Sequence, residues 1–378
     1  TGRLQSQVAS NNRKIYFNSN NALVTFSADN LSTSQRAALS DGYLALSQMQ
    51  GLPASDPKIS DAAKVSKLVD YLRGNKTYED NSGNTVAANR LFRERQATLG
   101  DISQSAPVYS RILNTTYLDA NHKAYRASME SRLPAVFVGA NDGMLHAFNA
   151  NTGDELWAFI PTPAIANLAN LADKEYGANY HTNYVNGSPV VEDICVSGCG
   201  GSGAVWRTIL VSGLNGGGRG YFALDITNPS SPTLLWEMYA QNSGSSNNLG
   251  YTFGNPVVTK MLDGRWVVLV TSGYNNGTYA RKLNDGTFVN NSPMGDGGGY
   301  LYVLDANSGT LLKTLSTGEG SASSPSGLAK IATFVERMFE NNTAVKVYGG
   351  DLNGNVWRFD INTNAVNKIA TLRDSSGN

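Results

Sequence analysis

The sequence has only two cysteines, and their spacing suggests a covalent bond. Cys195 and Cys199 lie in DICVSGCGGSG, where Gly198 beside the second thiol allows a sharp turn. Such close spacing can bring the two Cα atoms within disulfide range. We therefore predict a disulfide between Cys195 and Cys199, which is typical of an exported protein, with a pair of free thiols as the alternative.

Three histidines are the remaining candidates for metal binding or proton transfer. His122 and His146 are distant from the cysteines in the sequence, so a zinc site would lack soft ligands. His181, in NYHTNYVNGSPVV, could act as a general base, or it could bond the backbone where a loop meets a strand. The sequence contains no GxSxG, P-loop or HExxH motif. These residues therefore do not predict an enzyme.

One loop offers several of the oxygen ligands that calcium prefers. The segment LNDGTFVNNSPMGDGGG contains Asp285, Asn290, Asn291 and Asp296, but it lacks the DxDxDG alternation of a tight calcium loop. We treat these four residues as weak metal candidates. The alternative is a solvated hairpin loop rich in turn-forming residues.

Tyrosines in two long insertions are candidates for binding a partner. KEYGANYHTNY contains Tyr176, Tyr180 and Tyr184, and GYNNGTYARKLNDGTF contains Tyr274 and Tyr279. Loops often carry binding residues, and exposed tyrosines would give a glycan-binding scaffold, which is one alternative function. Tyrosine in a long loop more often fixes that loop to the protein body.

The composition indicates that β-strands joined by tight turns position these residues. Charged residues make up 16% of the chain, below the typical ~25%, and there are 39 glycines. Lys plus Arg equal Asp plus Glu at 30 each, so no net field favours nucleic acid or a membrane surface. No long apolar run occurs, and the chain starts at Thr1, so we expect a processed chain or an excised fragment.

A fourfold repeat organises the chain. In each repeat an apolar strand ends at an Asn or Asp anchor, followed by a polar turn and another apolar strand, and a proline precedes each anchor by about one propeller blade of ~40–50 residues. The anchors are Asn149, Asp225, Asp305 and Asp360, and the prolines are Pro107, Pro189, Pro256 and Pro325. We expect the prolines at strand starts and each anchor to accept backbone N–H groups of the next turn.

This repeat predicts an all-β fold, an irregular β-propeller of four-stranded antiparallel blades with a small helical segment near the N-terminus. A four-stranded sheet cannot bury both faces alone, so neighbouring sheets must stack, with Trp157, Trp236 and Trp357 packed between them. Residues 1–30 would add strands, 31–95 a helical insertion or cap, and 96–378 the blades.

Two local patterns support this organisation. SDAAKVSKLVDYLRG predicts a helix with Asp61 as N-cap and Gly74 as C-cap. Its apolar face consists of Val65, Leu68, Val69 and Leu72. In VFVGANDGMLHAFNANTG, the corner Asn141–Asp142–Gly143 predicts a type I′ hairpin turn.

Several segments together resemble a known family. VFVGANDGMLHAFNANTG, NYVNGSPVVED, ILVSGLNGGGRGYFALDITNP and VYGGDLNGNVWRFDI are similar to the C-terminal propeller of the PilY/PilC family of type IV pilus biogenesis factors and tip-associated adhesins. The resemblance implies a non-enzymatic protein at the cell surface or pilus tip, or in the outer membrane and periplasm. It implies a propeller that supports pilus assembly by opposing retraction, with minor pilins and a host surface as partners.

The resemblance also bears on calcium. Many members bind calcium in a DxDxDxxxD loop, whose ligand positions fall here on Arg337, Phe339, Asn341 and Val345. Only Asn341 could be a ligand, so we expect no calcium at this loop and no cofactor, although calcium could bind elsewhere.

A second resemblance gives the main alternative function. FNANTGDELWAF is similar to the tryptophan-docking repeat of quinoprotein dehydrogenases, which hold pyrroloquinoline quinone and calcium. The full repeat occurs once, and LDANSGTLL lacks the tryptophan.

Overall fold

The computed structural model describes residues 2–9, 12–240, 248–277, 280–282, 288–290 and 295–373. Their contacts divide the chain into two compact units. The first unit comprises Thr1–Tyr109 and Pro134–Asn186, and the second comprises Ser110–Leu133 and Gly187–Asn378. The segment 31–95, expected to be helical, therefore shares a unit with the first sheet.

The first unit is built on a six-stranded sheet in the order β2-β1-β6-β5-β4-β3. Its strands are β1 (Ile15–Ser19), β2 (Ala22–Thr25), β3 (Val108–Ser110), β4 (Ala135–Gly139), β5 (Leu145–Asn149) and β6 (Glu155–Ile160). Strands β4, β5 and β6 pair antiparallel, and β3 lies at the edge beside β4. The hairpin β1–β2 extends the sheet, because β1 pairs in parallel with β6.

Helices occur mainly in the first unit. They are α1 (Gly2–Ala9), α2 (Thr33–Leu44), α3 (Pro57–Ser60), α4 (Lys64–Leu72) and α6 (Thr162–Ile165), whereas α5 (His122–Ser128) belongs to the second unit. Separate short 3₁₀ helices lie at Ala28–Asn30, Ser47–Met49, Ala87–Asn89, Met129–Ser131 and Leu168–Ala172.

The predicted apolar face of α4 is confirmed, but its predicted N-cap is wrong. Val65, Leu68, Val69 and Leu72 are all buried. The helix begins after Ala63, because the Asp61 carboxylate instead accepts the backbone N–H of Ala63 at 2.8 Å and pairs with Lys67 at 2.7 Å. Gly74, two residues past the helix, has the positive φ of a chain-reversing glycine.

The second unit contains three four-stranded antiparallel groups. The first is β7 (Val190–Ser197), β8 (Val205–Gly213), β9 (Gly220–Asp225) and β10 (Thr233–Tyr239). The second is β11 (Val257–Lys260), β12 (Trp266–Thr271), β15 (Tyr300–Asp305) and β16 (Leu311–Ser316), with the inserted hairpin β13 (Ala280–Lys282) and β14 (Phe288–Asn290). The third is β17 (Ile331–Arg337), β18 (Asn341–Gly350), β19 (Asn355–Asp360) and β20 (Ala365–Thr371), which one parallel bridge joins to the second.

The predicted anchors are confirmed as strand ends. Each is the last residue of the third strand in its group, namely Asn149, Asp225, Asp305 and Asp360. Each side-chain oxygen accepts the backbone N–H two residues later at 2.9–3.1 Å, so the anchors serve the turns. Three of the four prolines directly precede a first strand, whereas Pro325 lies in a loop before β17.

Stacking of sheets within the second unit is visible on β12, whose residues are all buried. Val268 and Val270 contribute to the apolar cluster shared with the β7–β10 sheet. Val267 and Leu269 contribute to the cluster shared with the β17–β20 sheet. Alternate side chains of one strand thus fill two cores, which is why this strand is apolar throughout.

Trp236 packs between sheets as predicted. Its indole N–H donates to the Ala306 carbonyl of the neighbouring sheet at 3.0 Å, and its ring lies over Gly309. Trp157 and Trp357 are also buried, but Trp157 contacts Phe137 of its own sheet.

Candidate functional site

The candidate site is built around the turn between β4 and β5. The predicted type I′ turn is wrong, because Gly143 alone among the three corner residues has positive φ. The side chains of the corner instead hold neighbouring segments. The Asn141 amide donates to Asp101 at 2.6 Å and accepts the Tyr184 backbone N–H at 3.1 Å. The Asp142 carboxylate accepts the Gly100 backbone N–H at 3.0 Å.

Behind this turn lies a chain of charged groups, which we call the charge chain: Arg13, Glu155 and His146, which are buried, and Asp142, which is partly buried. The Arg13 guanidinium donates two hydrogen bonds to the Glu155 carboxylate, at 2.7 and 2.8 Å. His146 bonds Glu155 through Nδ1 at 2.8 Å and Asp142 through Nε2 at 3.0 Å. Because both ring nitrogens face carboxylates, the geometry favours the doubly protonated imidazolium.

The electrostatics of the charge chain agree with this assignment. Burial would lower the pKa of His146, but the two carboxylates raise it to about 9. Burial would raise the pKa of Glu155, but hydrogen bonds from Arg13 and His146 lower it to about 2. Near neutral pH the chain therefore alternates positive and negative charges with no net charge, which offsets the cost of burying each one.

An open cleft of about 600 Å³ lies beside the turn, in the first unit. Its lining residues come from the irregular segment after Phe92, the β4–β5 turn and the loop after α6. They include Arg93, Arg95, Thr98, Asp101, Asp142, Tyr176 and His181. The cleft thus combines cationic, anionic and hydroxyl groups along one lining, an arrangement suited to binding a polar ligand.

His181 lies on the wall of this cleft. Its Nε2 atom is 2.9 Å from the Asp101 carboxylate, so its partner is a side chain and not the backbone that the sequence suggested. Burial would raise the pKa of Asp101, yet the bonds from His181 and Asn141 lower it below its usual range. Asp101 therefore presents a negative charge at this wall.

Two arginines of one segment also line the cleft. Arg95 is fully engaged, because it donates to Glu79 at 2.8 Å and to the carbonyls of Tyr71 and Asn75. The Arg93 Nε atom donates to the Leu171 carbonyl at 3.3 Å, and its guanidinium lies 5.1 Å from the ring centre of Tyr176.

Tyr176 and Tyr184 fix their loop to the protein body and are not exposed binding residues. Both are buried, because their hydroxyls donate to the carbonyls of Thr182 and Asn167 and fix the loop. Tyr180 is partly buried against the same core and lies edge-on to Tyr176, with ring centres 5.5 Å apart. Tyr274 is partly buried beside Phe253, and Tyr279 lies outside the described residues.

The weak calcium candidates are not brought together in the described part of the chain. Asp285 and Asn291 lie outside it, and Asn290 ends β14. The Asp296 carboxylate is occupied by protein donors, since it accepts bonds from Asn248, Tyr300 and the Gly298 backbone.

The family calcium positions fall on the β17–β18 hairpin. Arg337 pairs directly with Asn341 across a turn of three residues, and Phe339 is exposed at its tip. The Asn341 amide oxygen accepts the Thr343 hydroxyl at 2.7 Å, and Val345 lies within β18. No group of three or more metal-binding side chains occurs among the described residues. Absence of calcium at this hairpin stays a prediction.

Cys195 and Cys199 form a disulfide at the turn between β7 and β8, with Cα atoms 5.7 Å apart. Gly198 adopts positive φ there, which lets the chain reverse within the four-residue span.

Comparison with known proteins places these features in a family. A family model described as the PilY1 β-propeller domain matches residues 99–376. The chain belongs to this family. The predicted β-propeller class is therefore confirmed, and the turn Asn141–Gly143 with its charge partners Asp142 and His146 lies inside the matched region.

The relatives that this chain matches are named as type IV pilus biogenesis factors. A type IV pilus biogenesis factor PilY1 of Pseudomonas aeruginosa strain UCBPP-PA14 is 34% identical over 97% of this chain and 28% of its own length. A PilY1 homolog of Xylella fastidiosa is 34% identical over 82% of this chain and 23% of its own length. The crystal structure of the P. aeruginosa PilY1 C-terminal domain is 32% identical, covers 64% of this chain and 41% of that chain, and has a TM-score of 0.47. The chain thus spans about a quarter of the length of the curated relatives cited here.

Sequence reasoning missed the charge chain and the position of Arg93 over the Tyr176 ring. Asp142 and His146 share the quoted VGANDGMLHAF motif, so their i,i+4 spacing was a usable signal. Arg13 gave none, because its partner Glu155 is 142 positions away.

Among the described residues, no helix is both long and apolar enough to cross a membrane.

Proposed function

We propose that this chain acts in type IV pilus biogenesis, with a propeller that supports pilus assembly by opposing retraction and that catalyses no reaction. The family match over residues 99–376 carries this proposal, and the names of relatives with 34% identity agree with it. The stacked sheets and the buried charge chain support it further, because they make a rigid scaffold on which loops can present contacts.

We propose an exported location, at the cell surface or pilus tip or in the outer membrane and periplasm. The Cys195–Cys199 disulfide supports this, since such bonds persist in oxidising compartments. Minor pilins of the pilus tip are the partners that fit this role, and a host surface is a second one.

Genetics tests the role directly. The gene is deleted, and surface pili are counted in strains with and without the retraction motor. We expect pili to be lost in the first strain and restored in the second, because removing retraction would make its antagonist unnecessary. Complementation with the wild-type gene is the control. Unchanged pili in the first strain would contradict a biogenesis role, and lost pili in both strains would contradict opposition to retraction.

A further inference from the structure

Arg93 is a cation whose position is fixed but which forms no ion pair in the described part of the chain. Its backbone N–H donates to Ala172 and its carbonyl accepts the Tyr71 hydroxyl at 3.1 Å. Its Nε bond to Leu171 and its place over the Tyr176 ring hold the side chain as well. Among the described residues, no carboxylate forms an ion pair with this guanidinium.

Arg95, two residues later, shows what a purely structural arginine looks like in the same segment. Its guanidinium lies 3.6 Å from the centre of the Tyr71 ring, and each of its three nitrogens donates to a protein oxygen, including the buried Glu79 carboxylate. Arg93 shares the aromatic support but lacks the carboxylate. A guanidinium held in place without a carboxylate partner is preorganised to bind a carboxylate through paired hydrogen bonds.

The rest of the cleft offers groups for a peptide. Asp101 carries negative charge beside His181 and can accept N–H donors. Thr98 is buried, and its hydroxyl has no hydrogen-bond partner in the described part of the chain. Leu72 and Leu171 add apolar surface.

A sugar fits this lining less well. Sugars usually stack on open aromatic faces, but Tyr71 and Tyr176 are buried and each has an arginine over its ring. We propose that the cleft binds a peptide segment of a partner protein, with a carboxylate of that peptide on Arg93 and its N–H donors on Asp101. This site is independent of the proposed pilus role, since the role could hold without it.

Nuclear magnetic resonance of the full chain, labelled with ¹⁵N in arginine, tests the proposal. The probes are a short acetylated peptide with a free C-terminal carboxylate, the same peptide as its amide, and an amidated peptide carrying one glutamate. We expect the Arg93 Nε–H signal to shift with the first or third probe and not with the second. The comparison of the first and third probes tells whether a C-terminal or a side-chain carboxylate is preferred.

Variants provide the second readout. Arg93→Gln should weaken binding at least about tenfold, because a charge-assisted pair is worth roughly 1.5–3 kcal/mol, and Arg93→Lys should weaken it less. Arg358→Gln, which removes an exposed arginine of the second unit, is the matched control and should leave affinity unchanged. Melting curves verify that each variant is folded.

Three results would overturn the proposal. One is equal binding of the amide probe, and another is unchanged affinity in folded Arg93→Gln or Arg93→Lys. The third is absence of any Arg93 shift at about 10 mM peptide, which excludes even millimolar affinity. Glucuronate is added as a separate probe. If it shifts the Arg93 signal and the peptides do not, the peptide proposal is overturned and the cleft is reassigned to acidic sugars.

Discussion

The charge chain of the first unit and strand β12 of the second unit hold neighbouring strands by different physical means. In the first unit, the charge chain links β5, β6 and Arg13, which lies just before β1, through hydrogen-bonded ions. In the second unit, β12 is apolar on both faces and fills two hydrophobic cores. Buried ions depend on protonation and on the presence of every partner, whereas apolar stacking depends on shape.

This difference teaches where each unit is vulnerable. A single isosteric change of charge should disturb the first unit strongly. The second unit should instead be sensitive to larger side chains at its sheet contacts, because its sheets meet closely, as at Gly309 under Trp236.

The largest effect is expected from Glu155→Gln, which keeps the size of the side chain and removes its charge. Arg13 and His146 would then be buried without their shared carboxylate, so the free energy of unfolding should fall by about 3–5 kcal/mol. Urea denaturation measures it. Glu319→Gln is the control, since its pair with Lys368 at 2.6 Å is partly exposed and should cost less than about 1 kcal/mol. Equal losses in both variants would refute the account of the charge chain.

The second effect is a dependence of stability on pH. The pKa of His146 is raised from 6.5 to about 9, so its contribution is fully present below pH 6.5 and is lost as the pH rises through about 9. The loss should reach about 3 kcal/mol. Glu155, with its pKa lowered from 4.5 to about 2, acts oppositely, and its contribution is lost as the pH falls below 4.5.

Denaturation curves recorded from pH 3 to 10, compared between the wild type and His146→Gln, measure both limbs. The difference between the two proteins should shrink above pH 6.5. A difference that stays constant to pH 10 would show that His146 is not charged in the folded protein.

Next in size is Gly309→Ala in the second unit. A Cβ atom there would lie 2.4 Å from Cγ of Trp236, and Gly309 has φ of +70°. The strain and the overpacking together should cost about 2 kcal/mol or more. Gly318→Ala is a matched control, since it has φ of +73° and open space around it, so it isolates the backbone cost. Similar losses in both would show that contact with Trp236 is unimportant.

The smallest effect is expected from calcium at the β17–β18 hairpin. Three of the four family positions carry Arg337, Phe339 and Val345, which are not calcium ligands. A calorimetric titration with calcium should therefore detect no site at this hairpin. Tight binding that disappears in Asn341→Ala would contradict this prediction.

The repeat and its Asn and Asp anchors could be predicted because their chemistry is local. Asp225 and Asp305 end strands and accept N–H groups only two residues away, so the sequence window contains both partners. The charge chain could not be predicted in full, because folding alone brings Arg13 to Glu155. The contact of Arg93 with the Tyr176 ring was missed for the same reason, since the two residues come from distant segments.

Direct titration of His146 tests the central claim, that the charge chain of the first unit consists of ionised groups. Nuclear magnetic resonance of histidine-labelled protein follows its ring signals with pH, and the His146→Gln spectrum assigns them. The account predicts an imidazolium at neutral pH with a pKa near 9. A pKa at or below the ordinary 6.5 would contradict it.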